Sequence, residues 1–280
     1  MTAPLVSTAW LARHLGDADL LVLDASWRMP ADAGDVRADY AARHVPGAVF
    51  FDIDAIADRA SDLPHMLPSP QEFATAMRRL GVATHSRVVA YDSAGVFSAP
   101  RAWWSLRAMG HERVSVLDGG LPKWIAEGRP VEQGWREAVH GDFRAAPRRE
   151  LVRDLAAVRR ALERGDEQLV DARAAPRFRG EAPEPRSGLR PGHMPGALNL
   201  PWTSLVQADG TLAPPSLLEK AFEAAGVGLD RPIVATCGSG LSACILALAL
   251  ACLGEPDAAV YDGSWSEWAG RADCAVATGA

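Results

Sequence analysis

Ile233-Val234-Ala235-Thr236-Cys237-Gly238-Ser239-Gly240-Leu241-Ser242-Ala243 passes from an apolar, β-branched run through a cysteine and two glycines into an apolar stretch that continues to Leu253. It reads as a buried strand, a tight loop and a helix. The glycines let the backbone curl until successive N–H groups face one centre, and the helix that follows adds its positive end. Such a cradle, built from Gly238, Ser239, Gly240, Leu241 and Ser242, suits an anion, and a cysteine at its mouth is held as the nucleophilic thiolate. Without that loop, Cys237 would read as a small apolar residue ending a core strand.

The same plan occurs earlier in the chain. Leu20-Leu21-Val22-Leu23-Asp24 matches Gln168-Leu169-Val170-Asp171, and Arg43-His44-Val45-Pro46-Gly47-Ala48 matches Gly192-His193-Met194-Pro195-Gly196-Ala197. Arg87-Val88-Val89-Ala90-Tyr91-Asp92 matches Pro232-Ile233-Val234-Ala235-Thr236-Cys237, and Leu117-Asp118-Gly119-Gly120 with Trp124 matches Tyr261-Asp262-Gly263-Ser264 with Trp268. The four pairs keep their order at a displacement of 144 to 149 residues, which marks a duplicated domain. Helical patterns separate the apolar runs, at Leu155–Leu162, at Leu217–Phe222 after Ser216 as N-cap, and from Ser69-Pro70 to Gly81. The expected fold is therefore α/β, with two tandem domains, each a mainly parallel sheet flanked by helices on both faces. The expected boundaries are 1–132 for the N-terminal domain, 133–150 for a linker and 151–280 for the C-terminal domain. The cysteine loop then lies at the carboxyl end of a strand, where such sheets bind ligands.

Composition narrows the function. The 280 residues are 48% hydrophobic and 23% charged with a formal net charge of -6, which disfavours nucleic acid and anionic membrane as partners. The N-terminus has no secretory signal pattern, and Ala243–Leu253 falls short of the roughly 20 apolar residues a membrane span requires. Cys237, Cys244, Cys252 and Cys274 are confined to the end of the chain without a C-x-x-C pair, so neither a disulfide framework nor a zinc site is expected. A reducing, cytoplasmic compartment fits, and no metal or cofactor is expected. A cysteine phosphatase would need an arginine six positions beyond the cysteine, where this chain has Ala243.

Taken together, the tandem plan, the paired H-x-P-G-A turns, the Asp-Gly…Trp ends and Cys237-Gly238-Ser239-Gly240-Leu241-Ser242 resemble the rhodanese superfamily over nearly the whole chain, above all its mercaptopyruvate-using branch. The resemblance implies a persulfide on Cys237, formed from 3-mercaptopyruvate with release of pyruvate and passed to a thiol such as thioredoxin, a small thiol, or cyanide. Thiosulfate-preferring relatives carry a basic pair where this chain has Gly238-Ser239, and the family's common Val-Thr is Leu241-Ser242 here. Arg177 and Arg186 are the implied substrate-binding pair, with Arg179 left as structural. The resemblance also suggests that His44 works with Ser239, oriented by Asp32, Asp35 or Asp39, although the shared turn at His193 points equally to a bracing task. Asp171 is expected to hold loop amides or an arginine. Asp92 stands where the second copy has Cys237 and cannot accept a sulfane sulfur, so the first copy is expected to be silent. A thiosulfate:cyanide sulfurtransferase and a non-enzymatic persulfide carrier are the competing functions.

Overall fold

A computed structural model describes residues 2–29 and 32–279, which form two compact units. The first contains β1 (Leu5–Val6), α1 (Thr8–His14), β2 (Leu20–Asp24), α2 (Val36–Ala42), β3 (Val49–Phe50), α3 (Ile53–Ile56), α4 (Pro70–Arg79), β4 (Arg87–Tyr91), α5 (Ala99–Ala108), β5 (Val114–Leu117) and α6 (Gly120–Ala126). The second contains β6 (Val152–Arg153), α7 (Leu155–Arg164), β7 (Gln168–Asp171), α8 (Ala175–Phe178), β8 (Leu198–Asn199), α9 (Pro215–Ala224), β9 (Ile233–Thr236), α10 (Ala243–Cys252), β10 (Ala259–Tyr261) and α11 (Ser264–Gly270).

Both sheets are wholly parallel and share one topology, β1-β5-β4-β2-β3 in the first unit and β6-β10-β9-β7-β8 in the second. The continuous apolar runs dictate this, because a strand covered on both faces has no need to alternate polar and apolar residues. β4 and β9 are central and buried, and their carboxyl ends carry Asp92 and Cys237.

Local signals set the helix ends. Ser69 and Glu72 form a reciprocal capping box at α4, with Pro70 in the first turn, where a missing N–H costs nothing. Asp154 caps α7 by accepting from the Ala157 N–H at 2.7 Å, and Gly165 closes that helix at φ +66°. α9 begins earlier than Ser216 suggested: its N-cap is Pro214 and Pro215 opens the helix, so Ser216 lies inside the first turn. Proline's fixed φ favours the first helical position over the serine that follows it. α10 is buried around its whole circumference for most of its length, and among the described residues no helix is long and apolar enough to cross a membrane.

The two units are not contiguous in sequence. The first comprises 1–59, 67–148 and 208–212, and the second 60–66, 149–207 and 213–280. Residues 133–148 therefore belong with the first unit instead of standing between two domains. Backbone bonds strap them down, from Gly134 to Ala41 O, Gly141 to Arg78 O, Phe143 to Val82 O and Ala146 to Met109 O. Phe143 is buried edge-on against Phe73.

Candidate active site

Cys237 follows directly on β9 and is 1% exposed. Asp171, at the end of β7, is in register with Thr236, so both strand tips open on one side of the second sheet. Beyond the cysteine the chain curls through Gly240 at φ +74°, a conformation natural to glycine. The N–H groups of Gly238, Ser239, Leu241 and Ser242 meet no protein acceptor among the described residues. Three consecutive residues at the start of α11 hold the outer side of this loop. Ser264 Oγ accepts from the Cys237 N–H at 3.2 Å, the Trp265 N–H donates to Cys237 O at 3.0 Å, and Ser266 donates to Gly238 O through both its N–H (2.9 Å) and its hydroxyl (2.6 Å).

The first unit shows what such a loop binds. Asp92 takes the place of the cysteine and is 1% exposed. Its Oδ2 accepts from the N–H groups of Phe97, Ser98 and Ala99 at 2.9, 2.9 and 2.8 Å, and its Oδ1 accepts from Ala94 at 2.8 Å. The first copy thus fills its anion cradle with its own carboxylate. In the second copy the corresponding residue is Cys237, and the N–H groups of Ser239 and Ser242, which match those of Ala94 and Phe97, meet no protein acceptor among the described residues.

Positive charge reaches the Cys237 loop through a buried relay. Asp171 accepts from the Arg173 N–H at 2.9 Å and from its guanidinium, which stacks 4.3 Å over the Trp265 ring. Arg173 also donates to Glu184 Oε1 at 2.8 Å, and the other carboxylate oxygen of Glu184 takes Arg177 Nη2. Arg177 is thus held by Glu184 with its Nη2 close to Gly238 of the loop. A Cβ on Gly238 would stand 3.2 Å from Arg177 Nη2, so the guanidinium lies close against the loop at this residue. Because Glu184 occupies the Nε and Nη2 side of the fork, the end bearing Nη1 faces no protein partner among the described residues. Arg179 forms a surface pair with Glu181. Arg186 lies partly buried on the loop between α8 and β8.

The histidine that reaches Ser239 is His65, which corrects the expectation for His44. His65 belongs to the second unit and is 5% exposed, with Nδ1 3.0 Å from Ser239 Oγ and 3.3 Å from Ser239 O. A carbonyl oxygen can only accept, so the Nδ1–H tautomer is assigned, donating to both oxygens and leaving the Ser239 hydroxyl hydrogen for another acceptor. His65 holds φ +63°, an unusual conformation for a non-glycine residue. His44 is instead a structural part of the first unit. It stacks on Tyr40, its Nδ1 lies 2.9 Å from Tyr40 O, and its Nε2 is 3.9 Å from Glu132. Two of the suggested acids are engaged elsewhere, since Asp35 caps α2 and Asp39 pairs with Arg28. His193 braces the matching turn against Phe178. His65 has no counterpart in the repeat, and that lack of a counterpart is the signal by which it could have been found.

Known proteins resemble the chain along nearly its whole length. The rhodanese-like domain matches residues 7–127 and again 154–271. A 3-mercaptopyruvate sulfurtransferase of Escherichia coli is 47% identical over 97% of this chain and 96% of its own, and a thiosulfate sulfurtransferase of Bos taurus is 44% identical over 96% and 92%. The crystal structure of SseA, a 3-mercaptopyruvate sulfotransferase from Escherichia coli, superposes with a TM-score of 0.87 at 44% identity, covering 94% of this chain and 99% of that one. With two matching domains and relatives alike along nearly their full length, the chain belongs to the rhodanese family.

Proposed function

We propose that the protein is a sulfurtransferase that takes sulfur from 3-mercaptopyruvate through Cys237. The observation that carries this reading is an anion cradle whose charge comes from Arg177 on the wall, while Gly238-Ser239 in the loop is neutral. A keto acid has one carboxylate for the free end of that guanidinium to receive through paired N–H donors, with Arg186 as its companion. Cys237 thiolate attacks the substrate sulfur, the new S–S bond forms as the C–S bond breaks, and the bonding pair leaves as the enolate of pyruvate, which then takes a proton. Loop N–H groups stabilise the sulfur anion as an oxyanion hole stabilises oxygen. Ser239, its hydroxyl held by His65, donates to the substrate carbonyl oxygen, where negative charge develops. An acceptor thiolate then attacks the outer sulfur and displaces Cys237 thiolate. A thiol such as thioredoxin, a small thiol, or cyanide can serve as acceptor, in a reducing cytoplasmic compartment.

The bovine relative favours a second reading, with thiosulfate as donor. Side-by-side kinetics separate the two: kcat/KM is expected to be at least tenfold higher for 3-mercaptopyruvate, and equal or reversed values would refute the assignment. Cys237→Ser is expected to abolish turnover. Release of a single equivalent of pyruvate by the wild-type protein with excess thiol would identify a carrier instead of an enzyme.

A further inference from the structure

The silent copy serves as an internal control for the loop of the active one. Each is braced from outside at the first peptide after the key residue: the Leu121 N–H donates to Asp92 O at 2.9 Å in the first unit, as Trp265 N–H does to Cys237 O at 3.0 Å in the second. The next peptide differs. Gly238 O receives two hydrogen bonds from Ser266, whereas the position matching Ser266 in the first copy is Pro122, which has neither an N–H nor a hydroxyl to offer.

A trans peptide points its C=O and its N–H in opposite directions, and there is no cis bond among the described residues. Holding Gly238 O against α11 therefore turns the Ser239 N–H to the opposite side. The corresponding amide of the first copy, Ala94 N–H, is directed at Asp92 Oδ1. There the carboxylate orients the amide by itself. Sulfur is a much weaker acceptor, and glycine at 238 gives the peptide freedom to rotate, so the second copy needs a brace that the first can omit.

We propose that Ser266 is a positioning residue: by fixing the Gly238 carbonyl it aims the Ser239 N–H at the sulfur of Cys237. A second difference between the copies agrees. Ser264 stands at φ +49° where the first copy has Gly120 at φ +53°, so a serine is kept in a backbone conformation that glycine would adopt without strain. Its hydroxyl accepts from Cys237 N–H and donates to Tyr261 O at 2.8 Å, so it fixes the cysteine itself. The beginning of α11 is thus specialised for the loop in the copy that carries sulfur.

The proposal rests on Cys237 as sulfur acceptor, and the experiment separates the two claims. Ser266→Ala and Ser266→Thr are compared with wild type for kcat, KM, single-turnover pyruvate release, and the rate of iodoacetamide labelling at Cys237. Ser266→Ala is expected to slow kcat, pyruvate release and labelling by about three- to tenfold, the effect of one hydrogen bond, with KM unchanged. Ser266→Thr, which keeps the hydroxyl, is expected to restore most of each rate, while thermal melting shows both variants folded. A wild-type kcat and labelling rate in Ser266→Ala, a change confined to KM, or an equal loss in Ser266→Thr overturns the proposal. If Cys237→Ser still turns over, the reading of the site itself fails; if it is inactive while Ser266→Ala matches wild type, only the role of Ser266 fails.

Discussion

Glu184 is the residue on which the charge of the site turns. Its carboxylate is 2% exposed and lies between Arg173 and Arg177, neutralising one buried guanidinium while aiming the other at the loop. Removing one charge from such a buried set leaves the remainder uncompensated, so Glu184→Gln is expected to cost about 3 kcal/mol of stability in urea unfolding. It is also expected to raise KM for 3-mercaptopyruvate several-fold through a misdirected Arg177. A wild-type KM in both Glu184→Gln and Arg177→Ala would exclude Arg177 from substrate binding. The position of Cys237 at a strand's end was legible in the sequence because of the glycine loop that follows it, whereas Arg177 was picked out of an arginine-rich stretch only by the family resemblance. His65 was not, since it comes from a loop without a motif and is brought to Ser239 only by tertiary structure. His44 drew attention through the family resemblance, and the repeat of its turn at His193 was the sign of a structural task. Repetition in a duplicated chain marks what the fold requires in both copies; Cys237, His65 and Ser266 all occur where the copies differ.

At the level of elements, the strand–loop–helix unit is a device for presenting amides, and its two versions differ in what those amides meet. In β4–loop–α5 they bind Asp92, and that carboxylate is part of what holds the loop closed. Asp92→Ala would leave four N–H groups without their acceptor and is expected to lower stability by about 2–4 kcal/mol. Asp92→Asn should cost less, because its amide oxygen still accepts. Urea unfolding of the pair tests this, and a loss below about 0.5 kcal/mol for Asp92→Ala would show that the carboxylate does not support the loop. The parallel sheets were visible in the continuous apolar runs, and α4 in its Ser69 and Pro70. The start of α9 departs from the sequence expectation because the capping preference of Ser216 competes with the backbone geometry of Pro214-Pro215, and proline prevails.

Across the whole molecule, stability in acid is expected to depend on His111. The ring is buried, its Nε2 has no hydrogen-bond partner among the described residues, and burial pushes its pKa below the usual histidine range, with the charge of Arg113 acting in the same direction. The unfolded chain therefore binds a proton that the folded one refuses, and stability falls as pH drops below about 6.5, by up to about 1.4 kcal/mol per pH unit. His111→Phe is expected to flatten that limb of the urea midpoint between pH 6.5 and 5; an unchanged slope would assign the acid sensitivity elsewhere. The duplication could be read from sequence, but the ownership of the loops could not, because it depends on which residues pack together and not on which follow one another. Residues 60–66 and 208–212 occupy matching places in the two copies, and each packs with the unit encoded mainly by the other. As a matter of heredity, such an exchange makes the duplication hard to reverse. Deleting the first copy from the gene would also take His65 from the copy that carries the cysteine, so the half that carries Asp92 cannot be discarded as a spare.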